Sequence, residues 1–432
     1  MRDVIELTKE MVAFDTTSSN SNLEFADYLK VLLEKMGFSV SLLKRKEGKV
    51  EKANLIASIG PKDAEPLMLS AHMDVMPVGD LSLWKIGEGK DERNIDPFNL
   101  TAHNGKLFGR GSVDMKGPLA AMICGIEPLI PQASQFRREL MFGLTYDEEV
   151  GLIGAKRLVD AKIIKPKFIL IAEPTELIPM RMHKGHLCLT AYCWGKGGHA
   201  AFPQIGMNAI EIAKKVIAKL KEFGEQLKCV EMPGFTPPYT TINIAEVRGG
   251  GKINKIPDQC EVDFAIRLIP GLTTQRIQDD ITQRLEGIGY DKNGLPIVTV
   301  ERYMKESDRI EDGKKFLEAT KTRNDLTKRA WVMERRKIGK KEPTEPMQTP
   351  AKSELVRTAE TVSGFNACGA SYSTDASELQ KLKADFLIFG PGNIYAGNGH
   401  EPNEHIEIEQ LQSGVVQFRE IARRMLLEGG LQ

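Results

Sequence analysis

The stretch RELMFGLTYDEEVGLIGAKRLVDA, residues 138–161, contains the repeating unit of one fold class. Its first part is an apolar run of the length of a buried strand, and its second part spaces apolar residues as an amphipathic helix does. Between them stand Asp147, Glu148 and Glu149. Neighbouring carboxylates repel one another, and near a core they need counter-charges. The stretch therefore predicts a strand, an acidic junction that must be neutralised, and a helix.

The same alternation extends to both sides of this stretch. Residues 2–37 predict two amphipathic helices separated by the loop DTTSSNSN. Strands are predicted at NLIASIG (54–60), PLMLSAHMDV (66–75), KFILIAEP (167–174) and ADFLIFGPG (384–392), and helices at MKGPLAAMICGIEPLI (115–130) and SELVRTAETVSG (353–364). Strands that alternate with helices indicate an α/β domain whose sheet is mixed, largely parallel and flanked by helices.

A second pattern begins at residue 185. The segment GHLCLTAYCW (185–194) alternates with period two and is followed by helix, strand, strand, helix and strand, an order typical of the ferredoxin-like α+β fold. We therefore expect three segments: 1–184 and 305–432 as the two parts of the α/β domain, and 185–304 as an inserted domain. The polar stretch 309–350 is predicted to be a surface excursion from the second part.

Composition excludes several functions. Among 432 residues Lys+Arg and Asp+Glu both total 59, so no net charge attracts nucleic acid or an anionic membrane. No apolar stretch is long enough for a membrane span, and MRDVIELTKEMVAF reads as an amphipathic helix and not as a signal peptide. The six cysteines contain no CxxC pair, which favours a reduced, cytoplasmic location.

Five histidines and acids follow predicted strands or lie in a glycine-rich loop beside them. In an open α/β sheet, side chains just beyond the carboxyl ends of the strands meet in one crevice. Two imidazoles and three carboxylates suit two Zn²⁺ ions that share one carboxylate and leave room for a bridging water. The five are His72, Asp114, Glu149, Glu173 and His400.

Each of these residues has an ordinary structural explanation when taken alone. A histidine is usually satisfied by a hydrogen bond, and an acid is usually a surface group or a helix cap. Asp114 in particular stands where it would cap a helix that begins at Met115. Five such residues at strand ends nevertheless favour the metal interpretation.

Several motifs together resemble a known family. SAHMDVMP, GRGSVDMKG, TYDEEVG, AEPTEL and GPGNIYAGNGHEPNEH resemble those of the dinuclear zinc amidohydrolases and metallopeptidases, which include aminoacylases, glutamate carboxypeptidases, desuccinylases and acetylornithine deacetylases. The similarity covers nearly the whole chain outside 309–350, and it is greatest to the acetylornithine deacetylases. It implies a catalytic domain with an inserted lid that forms a homodimer, and two Zn²⁺ per subunit, which Co²⁺ can replace.

The resemblance also implies roles for single residues. His72 and Glu173 would bind one zinc, Glu149 and His400 the other, and Asp114 both. Asp74 would accept the second ring N–H of His72 and fix its tautomer, unless it only caps a turn. Glu148 would face away from Glu149 and carry the proton from the bridging water to the leaving amine.

The remaining assignments concern the substrate. By resemblance, His199 would donate a hydrogen bond to the oxyanion in the partner subunit's site, and Asn254 and Arg267 would hold the substrate. Arg267 suits an α-carboxylate, and backbone N–H groups at Gly390 and Gly392 could add donors to it. Asp375 and Glu378 occupy positions that suit recognition of a cationic substrate side chain.

The resemblance thus implies hydrolysis of the amide of an N-acyl amino acid, with N²-acetyl-L-ornithine of arginine biosynthesis as the favoured substrate. Succinyl-diaminopimelate, other N-acyl amino acids and dipeptides remain alternatives, because the same metal chemistry would serve them all. A different class, a binding protein that kept the fold without the chemistry, is disfavoured because every expected ligand and Glu148 are present. Neither nucleic acid nor membrane is an expected partner.

Overall fold

A computed structural model of the chain describes residues 2–62, 65–303 and 342–428. It divides into two compact units. The first comprises the described residues up to His183, Met347–Ala370 and those from Thr374 onward, and the second comprises those between Lys184 and Pro346 together with Ser371–Ser373. The domain boundaries expected from the sequence remain predictions.

The first unit is built on a mixed sheet whose central strands are parallel. The strand Leu67–His72 pairs in parallel with Leu140–Thr145 on one side and with Phe168–Ile171 on the other, and Asp385–Ile388 continues the parallel set. Across the sheet the order of the strands is Ser39–Glu47, Val50–Ile59, Leu140–Thr145, Leu67–His72, Phe168–Ile171, Asp385–Ile388, Met180–His183 and Met347–Gln348, with Cys368–Ala370 also paired to Met180–His183.

Helices cover both faces of this sheet, which is why its central strands are apolar throughout. Leu67 and Leu69 belong to the larger hydrophobic cluster, whereas Met68 between them belongs to a smaller cluster on the opposite face. Helices Val4–Val12, Leu23–Lys35, Lys116–Ile126, Glu354–Ser363 and Ile408–Arg423 contribute to the larger cluster, and Ile153–Asp160 and Ala376–Leu379 to the smaller one. The predicted α/β class is confirmed.

Shorter elements complete the first unit. Small strands are Lys85–Ile86 with Arg93–Asn94, and Thr101–His103 with Lys106–Phe108 and His405–Glu407. The 3₁₀ helices are Leu81–Leu83, Gly89–Asp91, Glu127–Gln135 and Gln380–Leu382, and a π-helical turn spans Arg424–Glu428.

The second unit is an antiparallel sheet with two helices on one face. Its strands lie in the order Thr241–Gly249, Gln259–Leu268, Gly185–Trp194 and Val298–Arg302, and its helices are Ala209–Leu227 and Thr274–Glu286. Leu187, Leu189 and Ala191 face these helices, in agreement with the period-two pattern. A short pair, Gly198–His199 with Lys255–Ile256, and the 3₁₀ helix Pro203–Ile205 complete it. This chain order and strand order are those of a ferredoxin-like fold.

At both edges of the sheet the structure differs from the elements expected. The strand Ser39–Glu47 was not anticipated, because it is a half-exposed edge strand with four charged side chains and lacks an apolar run. Of the polar stretch 309–350, residues 309–341 lie outside the described part of the chain. At its end Met347–Gln348 joins the sheet and Met347 is buried, so this end is not a surface excursion. Within the described residues, no helix is both long and apolar enough to cross a membrane.

Candidate metal centre

Three of the predicted ligands lie at the end of, or just beyond, neighbouring parallel strands of the first unit. His72 is the last residue of Leu67–His72, Glu149 comes four residues after Leu140–Thr145, and Glu173 comes two residues after Phe168–Ile171. The carboxyl ends of parallel strands meet at one edge of a sheet, which brings these positions together.

Asp114 lies between the two histidines. The Nε2 atom of His72 is 2.9 Å from Oδ1 of Asp114, and Nε2 of His400 is 2.9 Å from Oδ2 of the same carboxylate. His400 Nε2 also lies 3.0 Å from Oε1 of Glu149. We call His72, Asp114, Glu149 and His400 the ligand cluster. In it each oxygen of one carboxylate faces a different imidazole, as a carboxylate shared by two metal ions requires.

The cluster fits a metal ion better than hydrogen bonds alone. One nitrogen or oxygen atom from each of His72, Asp114 and Glu149 lies within 4.8 Å of the others. His400 carries a single proton on Nε2 at most, so it cannot serve both carboxylates, and the buried Oε1 of Glu149 has no hydrogen-bond partner. Imidazole nitrogens and carboxylate oxygens are ligands that Zn²⁺ accepts.

Burial of these acids also calls for a cation. Burial, and next the charge of Asp114, raise the pKa of Glu149 to about 7 and the pKa of Glu173 to about 8. Removal of carboxylates from water disfavours their charged form, and a nearby cation reverses that preference. The alternative reading of Asp114 as a helix cap does not hold, since the helix begins at Lys116 with Met115 in the cap position.

Glu173 lies at the edge of this set. It is buried, and its charge acts on His72, but it is outside the group of atoms within 4.8 Å. Gly390 allows the neighbouring strand to approach, because a Cβ there would lie 2.6 Å from the carbonyl oxygen of Glu173. The amides of Gly390 and Gly392 donate to Thr175 Oγ1 and Gln410 Oε1, so both already have partners within the chain.

Asp74 connects His72 to the acidic junction. The Nδ1 atom of His72 is 2.9 Å from the backbone oxygen of Asp74 and 3.6 Å from its side-chain Oδ1. The carboxylate of Asp74 accepts the backbone N–H groups of Glu148 at 3.0 Å and Glu149 at 3.3 Å, and the hydroxyl of Ser18 at 2.7 Å. One buried carboxylate therefore fixes both the histidine loop and the loop of the two glutamates.

The three acids of the junction have different surroundings. Asp147 pairs with Lys52, with 2.7 Å between Oδ1 and Nζ, and both side chains are buried. Glu149 belongs to the ligand cluster. For Glu148, burial raises the pKa well above its usual range, and the charges of Glu173 and Glu149 raise it further although that of His72 lowers it.

The two acids expected to recognise a cationic substrate also have hydrogen-bond or ion-pair partners within the chain. Asp375 is buried and accepts a hydrogen bond from Thr145 Oγ1, and burial raises its pKa to about 6. Glu378 forms an ion pair with Lys381.

The other residues predicted to bind the substrate belong to the second unit, whereas every predicted ligand belongs to the first. His199 is exposed, and its Nδ1 accepts the N–H of Ala201 at 3.1 Å. Asn254 is exposed and accepts the N–H of Ala200 with its backbone oxygen. Arg267 is half-buried on the strand Gln259–Leu268.

Sequence reasoning missed three charged residues around the site. They are Lys52 beside Asp147, and Arg110 with Glu404 beside Asp114 and His400. The motifs GRGSVDMKG and HEPNEH contain the last two, so proximity to a ligand was the available signal.

Comparisons with known proteins identify the family. A profile of "Peptidase family M20/M25/M40" matches residues 68–424. An acetylornithine deacetylase of Myxococcus xanthus is 31% identical over 406 residues, which is 93% of this chain and 92% of that protein. One from Proteus mirabilis is 31% identical over 411 residues, 94% of this chain and 92% of that protein.

Solved structures with the same fold span both units. A tripeptidase from Staphylococcus aureus aligns with a TM-score of 0.68 at 20% identity and covers 98% of this chain and 97% of its own. The YxeP protein of Bacillus subtilis, described as a dinuclear metal binding peptidase of the M20 family, aligns with a TM-score of 0.62 at 15% identity, covering 97% of this chain and 96% of its own.

Proposed function

The chain belongs to peptidase family M20/M25/M40, and on that premise we propose that it hydrolyses the N-acyl amide bond of N-acyl amino acids. The family predicted from the motifs is confirmed, and so is the enzyme class, a metal-dependent amidohydrolase. As substrate we propose N²-acetyl-L-ornithine, which would give L-ornithine and acetate. This choice is supported by relatives of that activity aligned over more than nine tenths of the chain.

The proposal depends on one observation above all, the approach of His72 and His400 to opposite oxygens of Asp114. We propose that these residues, with Glu149 and Glu173, hold two Zn²⁺ ions that Co²⁺ can replace. His72 and Glu173 would serve one ion, Glu149 and His400 the other, and Asp114 both. Zinc in such a site lowers the pKa of water and polarises an amide carbonyl.

The chain's own residues would move the protons. Glu148 would accept a proton from the attacking water and deliver it to the leaving amine, so that acetate and a free amine result. Asp74 would hold the ring of His72 and, through two backbone amides, the segment that carries Glu148 and Glu149.

We further propose a homodimer formed through the second unit. His199 of the partner subunit would donate a hydrogen bond to the oxyanion, and Asn254 and Arg267 would hold the substrate, Arg267 by its carboxylate. The second unit exposes large apolar side chains, which mark interaction surfaces when they are contiguous. They include Phe202, Ile205, Val247 and Ile253. Sedimentation equilibrium tests the proposal, and a monomer at the concentrations used for kinetics would contradict it.

A substrate panel tests the proposed activity. Protein loaded with zinc is assayed with acetyl-ornithine, succinyl-diaminopimelate, acetyl-methionine and a dipeptide. We expect the highest kcat/KM for acetyl-ornithine, loss of activity after chelation and recovery on addition of zinc or cobalt. If the succinyl substrate is better by orders of magnitude, the substrate assignment is wrong. A metal-loaded protein that cleaves none of the four contradicts the proposed reaction.

A further inference from the structure

Arg110 and Glu404 form a buried ion pair next to the ligand cluster. Nη1 of Arg110 lies 2.6 Å from Oε2 of Glu404, and each side chain is 1% exposed. The two residues are 294 positions apart in the chain. Neither is one of the predicted ligands, yet each touches the backbone of a ligand.

Glu404 fixes the segment that carries the shared carboxylate. Its Oε1 accepts the N–H of Val113 at 3.0 Å and the N–H of Asp114 at 3.1 Å. Its backbone oxygen accepts the N–H of Gly109 at 3.0 Å. Because Oε1 and Oε2 are both in use, the orientation of the Glu404 carboxylate determines where the backbone of Asp114 lies.

Arg110 connects the two histidine segments. Its Nη2 donates to the backbone oxygen of Pro77 at 3.0 Å and to that of His400 at 3.2 Å. Pro77 lies five residues after His72 in the loop that leaves the strand. The ring of Trp84 lies 5.3 Å from the guanidinium carbon, and its indole N–H donates to Val78 in the same loop.

We propose that Arg110 and Glu404 are positioning residues of the metal centre. Together they connect the segments of His72, Asp114 and His400 through a rigid guanidinium fork and a fully used carboxylate. A guanidinium presents its donors at fixed angles, so several acceptors are held at fixed separations at once. This inference rests on the proposed metal-dependent function, but metal affinity tests it without any substrate.

A merely structural ion pair is the competing explanation, and the first unit contains a matched control. Arg138 and Glu354 form a pair with 2.8 Å between Nη2 and Oε1, and Arg138 is buried. Arg138 precedes the strand Leu140–Thr145 and lies over the ring of Phe168, at the ends of the strands away from the ligands. Loss of this pair should cost stability without an effect on metal.

The experiment compares Arg110→Lys and Glu404→Gln with Arg138→Lys and Glu354→Gln. Each protein is loaded with Co²⁺, and the metal dissociation constant is measured by competition with a chelator. Loss of groups that orient metal ligands typically weakens metal binding by about 10- to 100-fold. We expect that weakening, a changed visible spectrum of bound Co²⁺ and a lower kcat at unchanged KM for the first two variants only.

The inference is overturned if folded Arg110→Lys and Glu404→Gln bind Co²⁺ within about twofold of the parent with an unchanged spectrum. Equal weakening in the control variants would overturn it too. If the single variants fail to fold, the double variant Arg110→Gln/Glu404→Gln, which buries no charge, is measured instead. A parent protein that binds metal normally but leaves acetyl-ornithine intact refutes the proposed substrate and leaves this test unaffected.

Discussion

Glu148 and Glu149 are neighbours in the chain, but only Glu149 contacts His400. We predict that Glu148→Gln keeps the metal and lowers kcat by about 10²- to 10⁴-fold, since a general base contributes about that much. Glu149→Gln should instead weaken metal binding, because it removes one ligand charge. Metal analysis after dialysis and steady-state kinetics on both variants distinguish the two effects.

The pair of variants carries its own control. Both substitutions remove one negative charge from the same buried junction, so a purely electrostatic effect would be similar in both. Near-normal turnover by Glu148→Gln, or full metal content with normal affinity in Glu149→Gln, would show that the roles are assigned wrongly.

Asp74 is the residue whose loss should affect metal and base together. Asn at this position keeps the shape but only one acceptor oxygen, whereas Asp74 accepts from Glu148 and Glu149 with different oxygens. We predict that Asp74→Asn weakens metal binding by about 10- to 100-fold and lowers kcat as well. Competition with a chelator and kinetics at saturating metal measure the two effects.

Asp80→Asn is the matched control for this prediction. Asp80 also accepts a backbone N–H, that of Ser82, but it is exposed and caps the 3₁₀ helix Leu81–Leu83. Its substitution should leave metal affinity and kcat unchanged. If Asp74→Asn behaves like Asp80→Asn, Asp74 does not support the metal site.

At the scale of elements, Lys52 joins two strands of the sheet. It lies on Val50–Ile59, and its Nζ contacts Asp147 just beyond Leu140–Thr145 and the backbone oxygen of Ser18. Lys52→Met would leave the buried carboxylate of Asp147 unpaired. Breaking a buried pair costs about 3–5 kcal/mol, so we predict a loss of that order in the free energy of unfolding. Denaturant unfolding measures it.

The double variant Lys52→Met/Asp147→Asn provides the comparison. It removes both charges, so it should recover part of the lost stability. If the single variant is as stable as the parent, the pair does not hold the two strands together. If the double variant is less stable than the single one, the loss does not come from an unpaired charge.

The same elements show what the sequence could reveal. Leu67–His72 and Leu140–Thr145 are buried along their whole length, and such strands are visible as apolar runs. Ser39–Glu47 lies at the edge of the sheet with half-exposed charged side chains, so its pairing with Val50–Ile59 leaves no apolar signal. The predicted helix over 115–130 ends at Ile126, where Glu127–Gln135 continues as a 3₁₀ helix that contains two prolines.

The same difference, between a signal in the local sequence and a contact made only on folding, decides which residues of the site could be predicted. The candidate ligands could be recognised in the sequence because each follows a recognisable strand or stands in a glycine-rich loop next to it. Arg110, Glu404 and Lys52 could not, because a buried charge is recognised by its partner, and these partners lie 294 and 95 positions away. Only the folded chain shows that such residues are neutralised internally and do not face water.

At the scale of the whole molecule, every predicted ligand belongs to the first unit. The ligands nevertheless lie in two parts of the chain that the second unit separates in sequence. His72, Asp114, Glu149 and Glu173 precede the second unit in sequence, and His400 follows it. A metal ion held by both groups would connect segments that are distant in the chain. A metal ion that binds only the native state stabilises that state by about 2.7 kcal/mol when free metal is a hundredfold above its Kd.

We therefore predict that removal of metal loosens the first unit and leaves the second unchanged. Hydrogen exchange of protein with and without chelator should become faster after His72, around Glu149 and near His400, where ligand loops lose a shared partner. Strands Gly185–Trp194 and Gln259–Leu268, which carry no predicted ligand, should exchange at the same rate and serve as the internal control. Equal acceleration in both units would mean that metal stabilises the chain as one body, and no change near His400 would exclude that histidine as a ligand.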